Sequence, residues 1–326
     1  MNEWPSNSVS VIIPAFNSGT YIERAIRSVE LQKKPSDLIV EIIVVDDCST
    51  ESTMISALDR IQAASSPMIR LIRLKKNGGA ARARNEAIAN AKGRYLAFLD
   101  SDDLWLNNHL QTHIAALRST SAGFSCSDYN SIDQTDTVYS PRFFHNHKEK
   151  SRALKLTQTT SKFIVYRRPV KIFLDCCPAC TITTVIDREK FPKELLHFSE
   201  DLRMAEDVHL WIRLSAHGDF CFIPDATAGY RTNFNSLTQK SNSFIIDDWL
   251  IQALEDLLSK TEFLAWRALI RQRIGAILCS QAYGYRKEGD KTRSFAAIKK
   301  AVLISPKSLS TYVELVKLFI QHLRSI

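Results

Sequence analysis

Short apolar runs alternate with amphipathic stretches over the first hundred residues, and this alternation constrains the fold more than any other feature. Four apolar runs predict buried strands, at residues 8–13, 40–45, 69–74 and 94–99. Three intervening stretches predict helices, at residues 21–32, 49–63 and 80–91. Strands that alternate with helices form a mostly parallel sheet with helices on both faces. We therefore predict an α/β protein.

Polar clusters follow three of the four predicted strands. PAFN ends the first strand at residues 14–17, DDCS ends the second at 46–49, and DSDD ends the fourth at 100–103. Ligands of open parallel sheets bind beyond the carboxyl ends of the strands. These clusters are therefore predicted to meet at one edge of the sheet, although tens of residues separate them along the chain.

The DSDD cluster places several carboxylates side by side, which repel one another unless a cation is bound. Asp100 and Asp102 have the spacing D-x-D, so on an extended or turning backbone both side chains point the same way. Hard divalent cations use one or two such carboxylates together with substrate phosphates. The alternative is an ordinary turn that caps a helix predicted from about Leu104 to Leu117.

The loops after the strands exclude two common nucleotide sites. PAFNSG lacks the G-x-G-x-x-G pattern, and no G-x-x-x-x-G-K-[ST] occurs, so NAD enzymes and P-loop NTPases are disfavoured. Asp46 and Asp47 can accept hydrogen bonds from a ribose or a base, or act as helix caps. In NGGAARARNEAI the glycines let backbone N–H groups approach a ligand, and at most one of Arg82 and Arg84 reaches it.

Charge and cysteine content limit the partners and the compartment. A net charge of +8 and a pI near 9.1 favour an anionic partner. Aromatic residues in the basic stretches are few and unpatterned, which disfavours nucleic acid. Seven cysteines without two spaced ligand pairs predict reduced thiols, and no signal peptide or membrane span is evident. We expect a cytoplasmic protein, soluble or peripheral at a membrane.

The second half of the chain contains two basic regions. Residues 142–171 hold nine Lys or Arg and one acid, Glu149. This segment is either a solvated, mobile surface or a flap that faces an anionic acceptor. Further strands are predicted at 123–139 and in 181–191, and an amphipathic helix at 206–216 begins with two acids.

From about Phe244 the composition is helical. The stretch AYGYRKEGDKTRSFAAIKKAVLISPKS resembles one tetratricopeptide-type helical hairpin. Residues 291–326 hold seven Lys or Arg and one acid, Glu314. The stretch 309–323 within them is either a packing helix or an interfacial helix on anionic lipid. We therefore divide the chain into an α/β domain, 1–240, and a C-terminal α-helical region, 241–326.

Four blocks together resemble family 2 glycosyltransferases in order and spacing. They are SVIIPAFNSGTYIERAIRSV, IIVVDDCST, NGGAARARNEAIANAKGRYLAFLDSDDLW and EDVHLWIRL. The resemblance covers roughly residues 8–235 and includes the closing YRTNFNSLT. It implies a GT-A fold, which is Rossmann-like, and inverting transfer of a sugar from a nucleotide-diphosphate donor, most often UDP-linked.

The resemblance also assigns roles to residues of these blocks. Donor binding would involve Pro14, Ala15, Phe16, Asn17, Asp47, Arg84, Asp100 and Ser101. A divalent metal, Mn²⁺ or Mg²⁺, would be bound by Asp102 together with Asp100, and Asp207 would be the catalytic base. Cys48 departs from the glycine that is usual after the paired acids. The Q-x-x-R-W element of processive synthases is absent, so addition of one or a few sugars is expected.

We expect transfer to a hydroxyl of a glycan or lipid-linked glycan, as in bacterial surface polysaccharide synthesis. The basic segments would suit peripheral contact with an anionic membrane. One alternative is a nucleotidyltransferase, although PAFNSG is not the Gly-rich, basic loop that such enzymes usually have. Another is a non-catalytic partner protein of the same fold, although all the acids are present.

Overall fold

A computed structural model describes residues 5–64, 66–158, 161–232, 243–306 and 312–313. The chain divides into two compact units, Met1–Ser236 and Leu237–Ile326. This division lies four residues before the predicted boundary between residues 240 and 241. Within the described residues no helix is long and apolar enough to cross a bilayer.

The first unit is built on a single sheet, whose described strands are ten in number. In chain order they are β1 (Ser8–Ala15), β2 (Ile39–Asp46), β3 (Ile69–Arg73), β4 (Tyr95–Phe98), β5 (Leu104–Trp105), β6 (Phe124–Ile132), β7 (Val138–Ser140), β8 (Ile164–Tyr166), β9 (Thr184–Asp187) and β10 (Phe220–Arg231). Their order across the sheet is β3-β2-β1-β4-β9-β6-β10-β5, with β7 on β6 and β8 on β10.

Strands β3, β2, β1 and β4 are parallel neighbours, as the alternation of strands and helices predicted. All eight residues of β1 are buried, because the strand lies in the middle of the sheet. A strand that is covered on both faces reads as an unbroken apolar run. This explains why the strands in the first half of the fold could be predicted from the sequence.

The second half of the sheet is mixed. Strand β9 lies between β4 and β6 and is antiparallel to both. Strands β4 and β6 therefore run in the same direction, and β10 is parallel to β6. The carboxyl ends of β1, β2, β4, β6 and β10 consequently meet at one edge of the sheet.

Eight α-helices accompany the sheet in the described part of the first unit. They are α1 (Ile22–Glu30), α2 (Ser52–Ala63), α3 (Gly79–Asn90), α4 (His109–Thr120), α5 (Phe143–Asn146), α6 (Lys148–Ala153), α7 (Val170–Cys176) and α8 (Glu206–His217). Helix α1 shows the general pattern, since its buried residues recur at helical spacing, at Ile22, Ala25, Ile26 and Val29.

The helix predicted from Leu104 begins later than expected, at His109. Leu104 and Trp105 instead form β5, which pairs antiparallel with Ala228 and Gly229 of β10. The Trp105 indole donates to the carbonyl of Ile182 at 2.8 Å. Tertiary pairing thus overrides the local helical pattern here, and the prediction for residues 104–108 was wrong.

The basic segment 142–171 is packed against the sheet in its described part. It contains α5, α6, β8 and the start of α7, and Phe144, Leu154 and Leu156 are buried. Strand β8 pairs with Phe220–Phe222, at the amino end of β10. The later part of the segment therefore lies at the sheet edge opposite the polar clusters, and only its first part approaches them.

The C-terminal unit contains helices α9 (Ser243–Ser259), α10 (Arg267–Lys287) and α11 (Lys291–Ile304). The predicted hairpin is confirmed as α10 and α11. Gly289 has a φ of +82° in the turn between them, and Asp290 caps α11 by accepting from the N–H of Arg293 at 2.8 Å. Except for residues 312 and 313, the stretch 309–323 lies outside the described residues.

We predict that Gly93→Ala destabilises the protein by about 1–3 kcal/mol. An added Cβ would lie 2.5 Å from the backbone nitrogen of Ser10 and 2.6 Å from the carbonyl carbon of Val9, so β1 and the turn before β4 would have to separate. The measurement is urea denaturation. Gly78→Ala is the matched control, because its Cβ would meet only the Arg82 side chain, which can move. Equal stability losses in both variants would contradict the prediction.

Candidate active site

The NGG turn before α3 is held by Asp47, at the end of β2. The two carboxylate oxygens of Asp47 accept the backbone N–H groups of Gly78 at 2.9 Å and Gly79 at 2.7 Å. These N–H groups were expected to approach a ligand, and they bind a side chain of the protein instead. A donor contact of Asp47 itself stays a prediction.

The PAFN segment, at the end of β1, contacts the residues that precede α2. Pro14 and Ala15 are buried within β1, whereas Phe16 is half exposed. The Asn17 side-chain oxygen accepts the N–H groups of Thr50 at 2.9 Å and Glu51 at 3.1 Å. Asn17 therefore satisfies two N–H groups that precede α2, and in this segment the exposed ring is that of Phe16.

Arg84 connects two acidic clusters that lie more than a hundred residues apart along the chain. Its Nη2 donates to Asp100 at 2.8 Å and its Nη1 donates to Glu206 at 2.8 Å. The side chain is 6% exposed, so this network lies out of bulk water. Arg82, two residues earlier, is exposed. That at most one of the two arginines reaches a ligand stays a prediction.

Aromatic packing beneath the acids fixes this geometry. Phe98 of β4 contacts Phe198 and Trp211 edge-on, with ring centroids at 5.6 Å and 5.9 Å. Phe98 lies two residues before Asp100, and Trp211 lies one helical turn after Asp207. Aromatic pairs contribute about 0.5–1.5 kcal/mol each beyond the burial of their area. The apolar contact between β4 and α8 therefore brings the two acidic clusters together.

Asp207 lies in the first turn of α8, where the positive end of the helix dipole stabilises a carboxylate. Its Oδ2 accepts the hydroxyl of Thr181 at 3.0 Å, and its Oδ1 accepts the N–H of Val208 at 2.7 Å. Both oxygens are thus held in place while the side chain stays partly exposed. This suits a base that accepts a proton from a bound hydroxyl.

The acidity of Glu206, the residue before Asp207, differs from its ordinary value. Burial, and then the negative charge of Asp207, raise the pKa of Glu206 to about 7, although Arg84 acts in the opposite direction. The sequence reasoning treated Glu206 only as the neighbour of Asp207. Its contact with Arg84 gives it a positioning role in the described site.

The DSDD turn is held by Arg231, the last residue of β10. The backbone N–H of Arg231 donates to the Asp103 carboxylate at 2.5 Å, and its Nε donates to the backbone oxygen of Asp102 at 2.6 Å. Burial, together with the charges of Asp102 and Asp100, raises the pKa of Asp103 well above its ordinary range. Ser101 is buried within the same turn.

Arg231 also contacts two further segments of the chain. Its terminal nitrogens donate to the backbone oxygen of Asp133 and to the carboxylate of Asp136. The guanidinium lies over the Tyr21 ring, 4.6 Å from its centroid. Arg24 contacts the same carboxylate at 3.0 Å and the same ring at 5.0 Å, but no contact joins it to the DSDD turn.

The DSDD oxygens fit a cation that shares its coordination with a ligand. Asp100 and Asp102 are partly exposed at the end of β4, and carboxylate oxygens are the donors that Mg²⁺ and Mn²⁺ use. Within the described residues no three His, Cys, Asp or Glu side chains converge to hold a metal by themselves. A metal held here would therefore depend on additional ligands, such as phosphate oxygens.

Several predicted residues come together at this edge and others play supporting parts. Asp100 and Arg84 are in direct contact, and Glu206 links them to Asp207. Three contributors were missed, namely Thr181, Asp103 and Arg231. Arg231 belongs to the closing YRTNFNSLT block and Asp103 to DSDD, so both had a signal, whereas nothing in the sequence pointed to Thr181.

We predict that Glu206→Gln changes how stability depends on pH. In the folded protein the pKa of Glu206 rises from 4.5 to about 7, so this group stabilises the fold fully below pH 4.5 and loses that contribution as pH rises through 7. Glutamine imitates the protonated form at every pH. The unfolding free energy of the variant, relative to wild type, should therefore increase between pH 4.5 and 7.5 by at most about 3 kcal/mol.

Urea denaturation at several pH values measures this difference. Glu194→Gln, at an exposed position, is the control and should follow wild type at every pH. A difference between Glu206→Gln and wild type that stays constant with pH would show that Glu206 titrates normally.

Comparison with known proteins gives a consistent family. The model of Glycosyl transferase family 2 matches residues 10–174, about half of the chain. The putative teichuronic acid biosynthesis glycosyltransferase TuaG of Bacillus subtilis is 30% identical over 246 residues, covering 74% of this chain and 86% of that protein. The Escherichia coli UDP-Glc:alpha-D-GlcNAc-diphosphoundecaprenol beta-1,3-glucosyltransferase WfgD is 29% identical, covering 63% and 69%.

Two solved structures share the fold. S. aureus TarS 1–349 in complex with UDP-GlcNAc is similar with a TM-score of 0.65 and 18% identity, covering 92% of this chain and 82% of that one. GalNAc-T7 with UDP, GalNAc and Mn²⁺ is similar with a TM-score of 0.59 and 19% identity, covering 76% and 47%. The expected GT-A fold is thereby confirmed. With the matched blocks and the acidic edge of the sheet, these likenesses identify the chain as a member of glycosyl transferase family 2.

Proposed function

We propose that this glycosyltransferase moves a sugar, with inversion, from a UDP-sugar to a hydroxyl of a glycan or lipid-linked glycan. The transferred group would be a hexose or an N-acetylhexosamine. The observation that carries the proposal is the pairing of Arg84 with both Asp100 and Glu206. It joins the D-x-D turn, suited to a diphosphate and its cation, to the helix that carries a candidate base.

The residues at this edge of the sheet have separate roles in the transfer. Phe16, Asp47 and the DSDD turn surround the donor side, and Arg84 keeps positive charge close to the departing diphosphate. Asp207, oriented by Thr181, takes the proton of the acceptor hydroxyl. The acceptor oxygen forms its bond to the anomeric carbon while the bond from that carbon to the diphosphate oxygen breaks. Attack from the opposite face inverts the configuration, and the nucleoside diphosphate leaves with the electron pair.

A divalent cation, Mn²⁺ or Mg²⁺, would be held by Asp102 and Asp100. When bound, it would neutralise charge on the diphosphate, so no general acid is needed for departure. Arg231 keeps the backbone of Asp102 in place for this role, through the contact of its Nε with the Asp102 carbonyl.

Relatives support the choice of acceptor. TuaG is named for teichuronic acid biosynthesis and WfgD for a diphosphoundecaprenol-linked acceptor. We propose by analogy a role in bacterial surface polysaccharide synthesis, in the cytoplasm where nucleotide-sugars are available. The basic stretches of the chain would support peripheral contact with an anionic membrane face.

We predict that two aspartate variants separate donor binding from catalysis. Asp102→Asn should weaken UDP binding in the presence of Mn²⁺ by roughly tenfold or more, because a charge-assisted contact is lost. Asp207→Asn should keep UDP binding and lower transfer by about 10²–10⁴-fold, because the base is removed. Calorimetry with UDP and Mn²⁺, and UDP release from UDP-glucose and UDP-N-acetylglucosamine, measure the two effects.

Asp201→Asn is the charge-matched control, at an exposed position in the loop before α8, and should behave as wild type. If wild type binds no UDP with or without Mn²⁺, the proposed donor is wrong. If Asp207→Asn retains full turnover, another group is the base.

We also predict that Arg231→Lys raises the Mn²⁺ concentration that UDP binding requires. Lysine cannot donate to the Asp102 carbonyl and the two neighbouring acceptors together, so the DSDD turn loses its orientation. The Mn²⁺ concentration for half-maximal UDP binding should rise about tenfold, while binding of UDP without metal stays unchanged.

Arg24→Lys is the matched control, since Arg24 shares Asp136 and Tyr21 with Arg231 but does not touch the turn. A merely structural role of Arg231 would lower thermal stability in both variants and leave the Mn²⁺ requirement unaltered.

A further inference from the structure

Four aromatic side chains form a continuous group at the carboxyl ends of β6 and β10, which we call the aromatic shelf: Tyr129, Phe143, His147 and Tyr230. Phe143 stacks on Tyr129 with ring centroids 4.8 Å apart and an interplanar angle of 12°. The Tyr230 ring centroid lies 5.5 Å from that of Tyr129, and the His147 centroid lies 5.7 Å from that of Phe143.

A buried carboxylate holds the shelf together. Asp128, which is fully buried, precedes Tyr129 and accepts four hydrogen bonds. The donors are the N–H groups of Tyr129, Phe144 and His145 and the ring Nδ1 of His145. Burying a charge is costly unless it is fully hydrogen-bonded, as it is here. Asp128 thus fixes helix α5 so that Phe143 lies flat against Tyr129.

The shelf borders the acids of the candidate active site. Arg231, the residue after Tyr230, donates its N–H to Asp103 at 2.5 Å. On the other side, Cys180 donates its N–H to Cys126 at 3.2 Å, on the strand that carries Tyr129, and the next residue is Thr181, which holds Asp207. The shelf therefore lies beside both the D-x-D turn and the candidate base. Burial and the charges of Asp103 and Asp100 raise the pKa of Tyr230, in agreement with this position.

Three of the four rings are more exposed than the rings of a core cluster. Phe144, directly beneath, is 2% exposed, and Tyr129 is 8% exposed. Phe143, His147 and Tyr230 are only partly buried. Aromatic surface that stays open beside a group of acids leaves apolar faces for a ligand that also carries hydroxyls.

We propose that the aromatic shelf binds the acceptor, by stacking the C–H face of its terminal pyranose ring on Phe143 and Tyr230, with one hydroxyl directed to Asp207. This inference rests on the proposed function and assigns the acceptor side of the same site. It makes a neutral sugar ring, rather than an anionic group, the recognised part of the acceptor.

The cations of the basic segment are less suited to this task than its two rings, Phe143 and His147. Its strand β8 pairs with the amino end of β10, roughly 25 Å along that strand from Tyr230 at about 3.3 Å per residue. Of its earlier cations, Lys150 donates to the backbone oxygens of Cys176 and Cys177 and so holds the end of α7. This lysine therefore holds the protein's own backbone, and the aromatic rings supply the surface for the sugar.

Saturation-transfer NMR tests the proposal, with methyl β-D-glucopyranoside and methyl N-acetyl-β-D-glucosaminide as probes in the presence of UDP and Mn²⁺. Wild type should transfer saturation to ring C–H protons of at least one glycoside and shift them upfield. Phe143→Leu and Tyr230→Leu should weaken glycoside binding about three- to tenfold, because an aliphatic side chain keeps apolar volume but has no aromatic face.

Two variants serve as controls. Tyr230→Phe keeps the ring and should bind as wild type does. Phe163→Leu replaces a partly buried phenylalanine next to β8, far from the shelf, and should also bind normally. Calorimetry with UDP and Mn²⁺ confirms that each variant is folded and retains the donor site.

Each outcome supports or overturns the aromatic shelf or the proposed function. Glycoside binding that is unchanged in both leucine variants, or absent in wild type while UDP still binds, overturns the shelf and leaves the proposed function standing. Failure of wild type to bind UDP overturns the proposed function, and with it this inference.

Discussion

The buried guanidinium of Arg84 is the interaction on which the candidate site depends. One side chain holds Asp100 after β4 and Glu206 at the start of α8, at 2.8 Å each. Removing Arg84 would leave both carboxylates without their positive partner, and breaking a largely buried ion pair in this way costs about 3–5 kcal/mol. The two carboxylates keep Arg84 charged and raise its pKa further, although burial acts against this. The DSDD turn and the start of α8 are therefore positioned as one unit.

Apolar packing makes this polar network possible. The rings of Phe98, Phe198 and Trp211 press β4 against α8, and Arg84 lies over the Phe198 ring at 5.2 Å. A second buried arginine, Arg231 of β10, holds the DSDD turn in place by hydrogen bonds. Each of the two acidic segments is thus backed by an arginine from a different part of the chain. This arrangement spreads the repulsion among the carboxylates over fixed positive groups, so that the site is organised before any ligand arrives.

The two halves of the sheet carry different parts of the candidate site. They could also be predicted from the sequence to different extents. The parallel half, β3-β2-β1-β4, carries the loops assigned to the donor, and its strands and helices were predicted within a few residues. The mixed half carries Thr181 and the aromatic shelf. Its strands are short or interrupted, and β9 enters between β4 and β6 antiparallel to both. Residues 104 and 105 illustrate the difficulty, because their pairing with β10 depends on a strand more than a hundred residues later.

The sequence by itself determined the α/β class, the edge of the sheet where the polar loops meet, and the family, because buried strands and motif spacing are local signals. It also indicated the helical C-terminal hairpin, through its small residues and its Gly-Asp turn. Only the tertiary structure decided that Arg84 binds two carboxylates, that the N–H groups of the NGG turn bind Asp47, and that Arg231 supports Asp102. These contacts join residues between 16 and 129 positions apart. Such pairings follow from how strands and helices pack in three dimensions, and no local periodicity encodes them.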